Sequence, residues 1–440
     1  MSNRREDYFK LSTRYHRIYK GKMEISFKVP IESLKDFAIW YTPGVAGPCK
    51  AIVENPELSF ELTYRWNTVA VITDGSRILG LGDIGPEAGF PVMEGKALLF
   101  KYLSGVDAIP LALAVKDADR LINIVKALEP SFGGINLEDI ASPKCFYILE
   151  KLREILNIPV WHDDQQGTAL VTLAALINAL RVVGKKLTDI QVTVIGAGAA
   201  GISIAKYIMV AGVKPKNIFM VDSKGILYRG RKDLKSDDPW LKWKRELAEI
   251  TNGEQRVGGI REALKGVDVV IAVSRPGPGV IKKEWIKLMS DNAIVFALAN
   301  PIPEIWPWEA KEAGAKIVAT GRSDLPNQIN NSLGFPAVFR GALQVRACKI
   351  TDGMCLAAAY ALADYAEEKG LHEEYIIPSM EDVGAYIMES LAVAMKAMEE
   401  GMARRKVSIQ TLESEIEELI WRPKHLMKIL INSKLIKTLE

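Results

Sequence analysis

Between Val192 and Gly201 the chain reads Val-Thr-Val-Ile-Gly-Ala-Gly-Ala-Ala-Gly, an apolar, β-branched run that breaks into G-x-G-x-x-G and continues as the helix-like stretch Ile202 to Val210. Strand, tight turn and helix in that order restrict the surrounding chain to a βαβ unit with a parallel sheet. Gly196 permits the turn, Gly198 lets backbone approach a pyrophosphate, and Gly201 allows close helix–sheet packing. Together with Ala199 and Ala200 they set phosphates at a helix N-terminus, where free N–H groups favour negative charge. Asp222 closes the next apolar run, Ile218 to Val221, at the distance where an acid meets a ribose 2′-hydroxyl. Glycines that only make a turn would leave Asp222 unexplained, so the segment predicts dinucleotide binding.

The rest of the chain supports two such sheets. Apolar runs at Val69 to Thr73, Ile109 to Val115, Gly134 to Leu137 and Ile158 to Trp161 alternate with helical patterns, and each ends in polar residues. Parallel strands put those ends on one edge of a sheet, where open α/β folds bind ligands. A second set, Gln191 to Ile195, Asn217 to Asp222, Val267 to Val273, Ala293 to Ala299 and Ala315 to Ala319, forms the nucleotide sheet. The run Gln165 to Val183 reads as a helix linking the two. From Cys355 onward the pattern is mainly helical, with Leu356, Tyr360 and Ala363, then Leu391, Met395 and Met398, at helical spacing. The expected architecture is α/β: an N-terminal α/β substrate and metal domain (1–164), a Rossmann-type doubly wound nucleotide domain (165–354) and a helical C-terminal segment (355–440).

Composition excludes more than it identifies. A chain of 440 residues holds two or three domains. Its net charge of +3, with the two signs interleaved, gives no nucleic-acid footprint. The start, Met1 to Asp7, has no apolar signal region, and no apolar run approaches the roughly 18 residues that span a bilayer. This predicts a cytoplasmic protein without a membrane partner. Cys49, Cys145, Cys348 and Cys355 lack C-x-x-C spacing, so buried idle thiols are expected rather than a disulfide framework or a zinc site.

Glu138, Asp139 and Asp164 are hard oxygen donors on neighbouring strand ends, a set that suits Mg²⁺ or Mn²⁺. Adjacent strand residues face opposite ways, so Glu138 and Asp139 share a cation only if the chain has already turned there. The competing reading is that Asp139, Asp163 or Asp164 caps the following helix. His162 reads as a packing or hydrogen-bonding residue. Met93, Lys96, Phe100 and Leu103 recur at helical spacing, which puts Lys96 on an apolar stripe. There it either snorkels past the core or is desolvated, with a lowered pKa fit for a general base. Leu34, Phe37 and Tyr41 make a similar stripe, so Tyr41 is either core or a positioned hydroxyl beside the rigid loop Thr42 to Pro48.

These segments together resemble the malic enzymes in their short microbial form, over about residues 25 to 400. Tyr41-Thr42-Pro43-Gly44-Val45 is similar to the family's tyrosine loop, Arg77 to Gly85 to its substrate loop, and Glu94-Gly95-Lys96 to its lysine helix. Leu137-Glu138-Asp139 and His162 to Ala169 resemble its two metal motifs, and Ala299-Asn300-Pro301 and Asn330-Asn331 its asparagines. The resemblance implies metal-dependent oxidative decarboxylation of L-malate to pyruvate and CO₂ with NAD or NADP, and decarboxylation of oxaloacetate. It implies Mg²⁺ or Mn²⁺ on Glu138, Asp139 and Asp164, Lys96 as base with Asp163 bonded to it, and Tyr41 as the acid that protonates C3. Arg77 would pair with a substrate carboxylate, although a structural ion pair stays open. Asn300 would serve coenzyme and substrate, Asn331 the substrate, and the protein would be a homodimer or higher homo-oligomer. Coenzyme preference is open, since Asp222 repels a 2′-phosphate while Lys224, Arg229 and Arg231 lie close enough to contact one. An amino-acid dehydrogenase that needs no metal and a nucleotide-binding regulatory protein are the rival readings.

Overall fold

The computed structural model describes residues 2–436 and 438. A four-stranded parallel sheet runs in the order β2-β1-β3-β4, with β1 at Thr68–Thr73, β2 at Asp107–Ala112, β3 at Gly134–Leu137 and β4 at Val160–His162. A six-stranded sheet follows, β10-β9-β8-β5-β6-β7. Its strands are β5 (Val192–Ile195), β6 (Ile218–Asp222), β7 (Gly225–Ile226), β8 (Val269–Ala272), β9 (Ile294–Ala297) and β10 (Ile317–Thr320). All pair in parallel except β7, which turns back on β6 as a two-residue antiparallel strand too short to carry a periodic signal.

Both faces of the second sheet are covered, which is why its strands are almost wholly apolar. Val194, Met220, Ile271 and Phe296 join the large core shared with the first sheet, while Phe219, Val270, Val295 and Val318 build a separate core on the opposite face. Strand order reverses direction between β5 and β8, the crevice where a doubly wound sheet binds its ligand.

The helix Pro86–Ser104 starts from Gly85 at φ 86° with proline in its first turn, and stops at left-handed Gly105. It buries Met93, Lys96, Ala97, Phe100 and Leu103 as the periodicity predicts. Phe100 packs edge-on against Phe335 and Phe339, at 4.6 and 5.3 Å between ring centroids. Those two rings sit on the helix Phe335–Gln344, so chain beyond the nucleotide sheet returns to fill the core of the first. The linking helix, Thr168–Val183, is entered through one π-turn at Asp163–Gly167. By length and composition 163–183 could cross a membrane, contrary to the expectation that no run would qualify. Of its most apolar 18-residue window 78% is buried inside the protein, and its apolarity is that of a core helix.

Burial elsewhere is uneven. In the C-terminal helices Tyr360 and Met395 lie exposed, and the buried faces are Met354, Ala358, Leu362 and Ala366 on Asp352–Lys369 and Tyr386, Val393 and Ala397 on Val383–Glu399. Cys145 and Cys355 are buried, but Cys49 is exposed and Cys348 partly so. The stripe Leu34, Phe37 and Tyr41 is not core within this chain. All three are exposed, Leu34 by 86% and Tyr41 by 69%, as are Ile25, Phe27, Ile39 and Val53 along the same arm.

Candidate active site

Helix and sheet edge meet at Lys96. Its ammonium lies 3.0 Å from Glu138 Oε1, donates to Asp163 Oδ2, and sits 4.0 Å from the centroid of the Phe335 ring. Neither snorkelling nor a lowered pKa describes it. Burial pulls the lysine down, but Asp163 and Glu138 together outweigh burial and hold it charged, above its ordinary value. The expectation failed because an apolar stripe reveals desolvation but not the acids waiting opposite. Asp163 is fixed on its other oxygen by Trp161 Nε1 at 3.0 Å. Gly167 makes room for it, since a Cβ there would stand 2.0 Å from Asp163 Oδ1 and 3.3 Å from the Cβ of Asn331.

Beside the lysine, Glu138, Asp139 and Asp164 each bring one carboxylate oxygen within 4.8 Å of the others. The chain has indeed turned: β3 ends at Leu137, and Asp139 adopts φ 54°, in the left-handed region. Helix capping does not account for these acids. Asp164 Oδ2 accepts the backbone N–H of Asp139 at 3.0 Å, and the turn that Asp163 opens has no side-chain cap. Burial pushes the Glu138 and Asp139 carboxyls up, Asp139 to about 8, and the neighbouring acids add to it. Asp139 Oδ2 is buried without a hydrogen-bond partner. Crowded anionic oxygens with an unsatisfied lone pair are what a hard divalent cation relieves, so the donor set fits one. His162 is buried, its ring nitrogens make no hydrogen bond, and burial pulls it below its ordinary value, toward the neutral form. It packs beneath the site, 3.7 Å from Asp164 Oδ2.

Arg77 is exposed on the loop between β1 and the lysine helix, and its backbone N–H donates to Asp139 O at 3.1 Å. Its guanidinium makes no ion pair among the described residues. Gly80 of the same loop faces Asn300 O at 3.6 Å, measured from its would-be Cβ, so the substrate loop abuts the loop after β9. Asn331 lies against Gly167, while Asn330 caps the following turn by accepting from Ser332. Tyr41 is the residue the chain does not bring in: its exposed ring shares no hydrogen bond with the lysine or the acids. Two contributors were missed by sequence reasoning. Phe335 follows Asn331 by one helical turn, and Trp161 precedes the acids, but nothing local indicates their partners.

The coenzyme crevice occupies a cavity of about 1250 Å³ lined by Gly196, Gly198, Asp222, Lys244, Ser274 and Trp285. Gly196 stands at φ 114°, where a Cβ would meet Val273 O at 2.6 Å, and a Cβ on Gly201 would meet Gly196 O at 1.8 Å. Gly198 faces open space, and the helix Ala199–Val210 points its first turn there. Both oxygens of Asp222 are already engaged: Arg231 grips them at 2.9 and 2.7 Å, and Lys244 lies 3.2 Å from Oδ2. Burial raises the Asp222 carboxyl, yet these cations bring it below its ordinary value. Of the basic residues nominated from sequence, Lys224 pairs with Asp233 and Arg229 with Glu249. Lys244, distant in sequence, was not foreseen.

Residues 20–153 match the family described as malic enzyme, N-terminal domain, and residues 165–401 the one described as malic enzyme, NAD binding domain. A bifunctional malic/malolactic enzyme of Bacillus subtilis is 48% identical over 92% of this chain and 96% of its own length. An NAD-dependent malic enzyme of Geobacillus stearothermophilus is 50% identical over 88% of this chain and 78% of its own. The crystal structure of a malic enzyme from Entamoeba histolytica superposes with a TM-score of 0.95 at 46% identity, covering 98% of this chain and 90% of that one.

Proposed function

This chain belongs to the malic enzyme family, and from that premise we propose that the Lys96–Asp163–Glu138 cluster, with the acid group beside it, is where malate is held and transformed. The protein is an oxidoreductase that converts L-malate to pyruvate and CO₂ with reduction of NAD(P)⁺. We divide it into a substrate domain, 1–164, a coenzyme domain, 165–354, and a helical segment, 355–440, in keeping with the two sheets.

Glu138, Asp139 and Asp164 would hold Mg²⁺ or Mn²⁺. That cation supplies Lewis acidity at the substrate oxygen, and the bound nicotinamide supplies the hydride acceptor. The remaining work falls to side chains. Arg77, exposed and with no ion pair among the described residues, takes a malate carboxylate, for which a planar guanidinium is well shaped. Asn300 and Asn331 orient substrate from the opposite wall, Asn300 beside the nicotinamide as well. The turn Gly196 to Gly201 receives the pyrophosphate, and Asp222 faces the adenosine ribose. Lys96 passes its ammonium proton to Asp163, to which it is already hydrogen-bonded, and the amine so formed accepts the proton of the 2-hydroxyl while the C2 hydrogen leaves as hydride. The bond from C3 to its carboxylate then breaks with loss of CO₂, and C3 takes a proton from Tyr41. Oxaloacetate decarboxylation uses the later half of this sequence.

Tyr41 is assigned to a second copy of the chain. Its exposure, on an arm whose apolar residues lie uncovered, supports a homodimer in which Tyr41 of the partner subunit completes each site.

The observation that carries this reading is a lysine, 7% exposed, clasped by two acids next to a three-carboxylate group. Purified protein given L-malate, Mn²⁺ and either coenzyme is expected to form reduced nicotinamide and pyruvate in equal amounts and to stop on addition of EDTA. Nicotinamide reduction without pyruvate, or turnover that survives metal removal, would overturn it.

A further inference from the structure

Behind a loop that borders the coenzyme crevice lies a buried carboxylate that the chemistry above does not use. Glu304 is fully buried, and no cation pairs with it among the described residues. Its Oε1 accepts from the backbone N–H of Ser274 at 2.9 Å and from Ser274 Oγ at 3.2 Å, and its Oε2 accepts from Ala299 N–H at 3.1 Å. Its own carbonyl accepts from Gly279 and Ile281, each at 3.2 Å, and Ile302 O accepts from Gly277 at 3.2 Å. One residue therefore joins the loop after β8, 274–281, to the loop after β9, 298–304. Ser274, Gly279 and Val280 of the first line the coenzyme cavity, and the second carries Asn300.

Placing an uncompensated carboxylate in the interior is costly, and burial pushes its pKa up, opposed only by these N–H and O–H donors. A carboxylate accepts at both ends; an amide accepts at one and donates at the other. Glutamine of the same size would therefore set an NH₂ group against either Ser274 N–H or Ala299 N–H, and the two loops would part on that side.

We propose that Glu304 is a positioning residue for hydride transfer, locking the loop 274–281 that borders the coenzyme cavity to the loop that presents Asn300. The proposal rests on the coenzyme and substrate reading given above. The adenosine half, built on Gly196 to Gly201 and Asp222, touches neither of Glu304's oxygens.

The test is Glu304→Gln in the full-length protein, measured three ways. Misplacing the reacting groups by a fraction of an ångström to about 1 Å is expected to lower kcat by roughly 10- to 100-fold. The isotope effect with malate deuterated at C2 should rise, because hydride transfer becomes the slow step. ADP-ribose, which lacks the nicotinamide, should bind within about 2-fold of wild type, since Glu304 bonds neither the Gly196 to Gly201 turn nor Asp222 and each 1.4 kcal/mol is tenfold. Wild-type kcat and isotope effect in the variant overturn the proposal. So does a lowered kcat with unchanged isotope effect and a matching loss of ADP-ribose sites, the mark of a fold defect. If Glu304→Gln does not fold, Ser274→Ala, which removes only the Oγ donor, must raise the isotope effect in the same direction, and a wild-type value there refutes the idea. A wild-type protein that does not oxidise malate would instead remove the functional reading on which this rests.

Discussion

Replacing Gly167 with alanine tests the geometry of the lysine site without touching a reactive group. In an ordinary helical turn the change would stabilise by about 0.5–1 kcal/mol, because alanine restricts the unfolded chain. Here the added methyl would lie 2.0 Å from Asp163 Oδ1 and 2.9 Å from its Cγ. Asp163 must recede by roughly 1.4 Å to restore ordinary contact at 3.4 Å. It cannot do so freely, since one oxygen holds Trp161 and the other Lys96, and all three side chains are buried. Lys96 therefore moves with it or loses its partner. A shift of about 1 Å at a reacting group costs on the order of 100-fold in rate, so kcat for malate should fall by about that factor while coenzyme titration is unchanged. The assay is steady-state malate oxidation beside thermal melting. A variant that melts higher, as helix propensity predicts, and turns over at the wild-type rate would refute the claim that Gly167 is there to accommodate Asp163.

Lys96→Ala should lower kcat by at least about 10²-fold while coenzyme binding persists, and near-normal turnover would remove Lys96 as the base. Asp164→Asn keeps an oxygen able to accept the Asp139 N–H but loses its charge, so the half-saturating Mn²⁺ concentration should rise sharply with the fold intact; an unchanged Mn²⁺ titration returns Asp164 to a structural role. Lys96→Ala and Tyr41→Phe, each depleted of activity alone, should complement when unfolded and refolded together in equal amounts. Random pairing puts about half the chains in mixed dimers, each with one complete site, so about a quarter of wild-type activity should return. No recovery on mixing would mean that both residues act within one chain.

Much of the frame was legible because it rests on local rules. The glycine turn is legible from strand, turn and helix in sequence, with Gly201 required by Gly196 O in its own unit although Gly196 itself meets Val273 O from beyond β8, and the strands of both sheets were placed to within a few residues by apolar runs that burial on two faces makes continuous. β7 escaped notice, being two residues held by a hairpin. The stripe bearing Lys96 is buried, and the one bearing Tyr41, open in sequence between core and a positioned hydroxyl, is exposed. Both show the same periodicity, but only the lysine helix has chain packed over it, supplied by Phe335 and Phe339 from some 235 residues later.

What the sequence determined by itself is therefore the fold class, the phosphate-binding turn and the inventory of acids at one sheet edge, each legible from a short local pattern. Tertiary structure decided the electrostatics. Lys96 is charged because Asp163, 67 positions away, and Glu138 converge on it; Asp222 is neutralised by Arg231 and by Lys244, 22 positions on; Glu304 bridges two loops that meet only in the folded crevice. Periodicity reports which face of an element is buried, but a pKa or an ion pair depends on what lies across the gap, and that is set when distant elements pack.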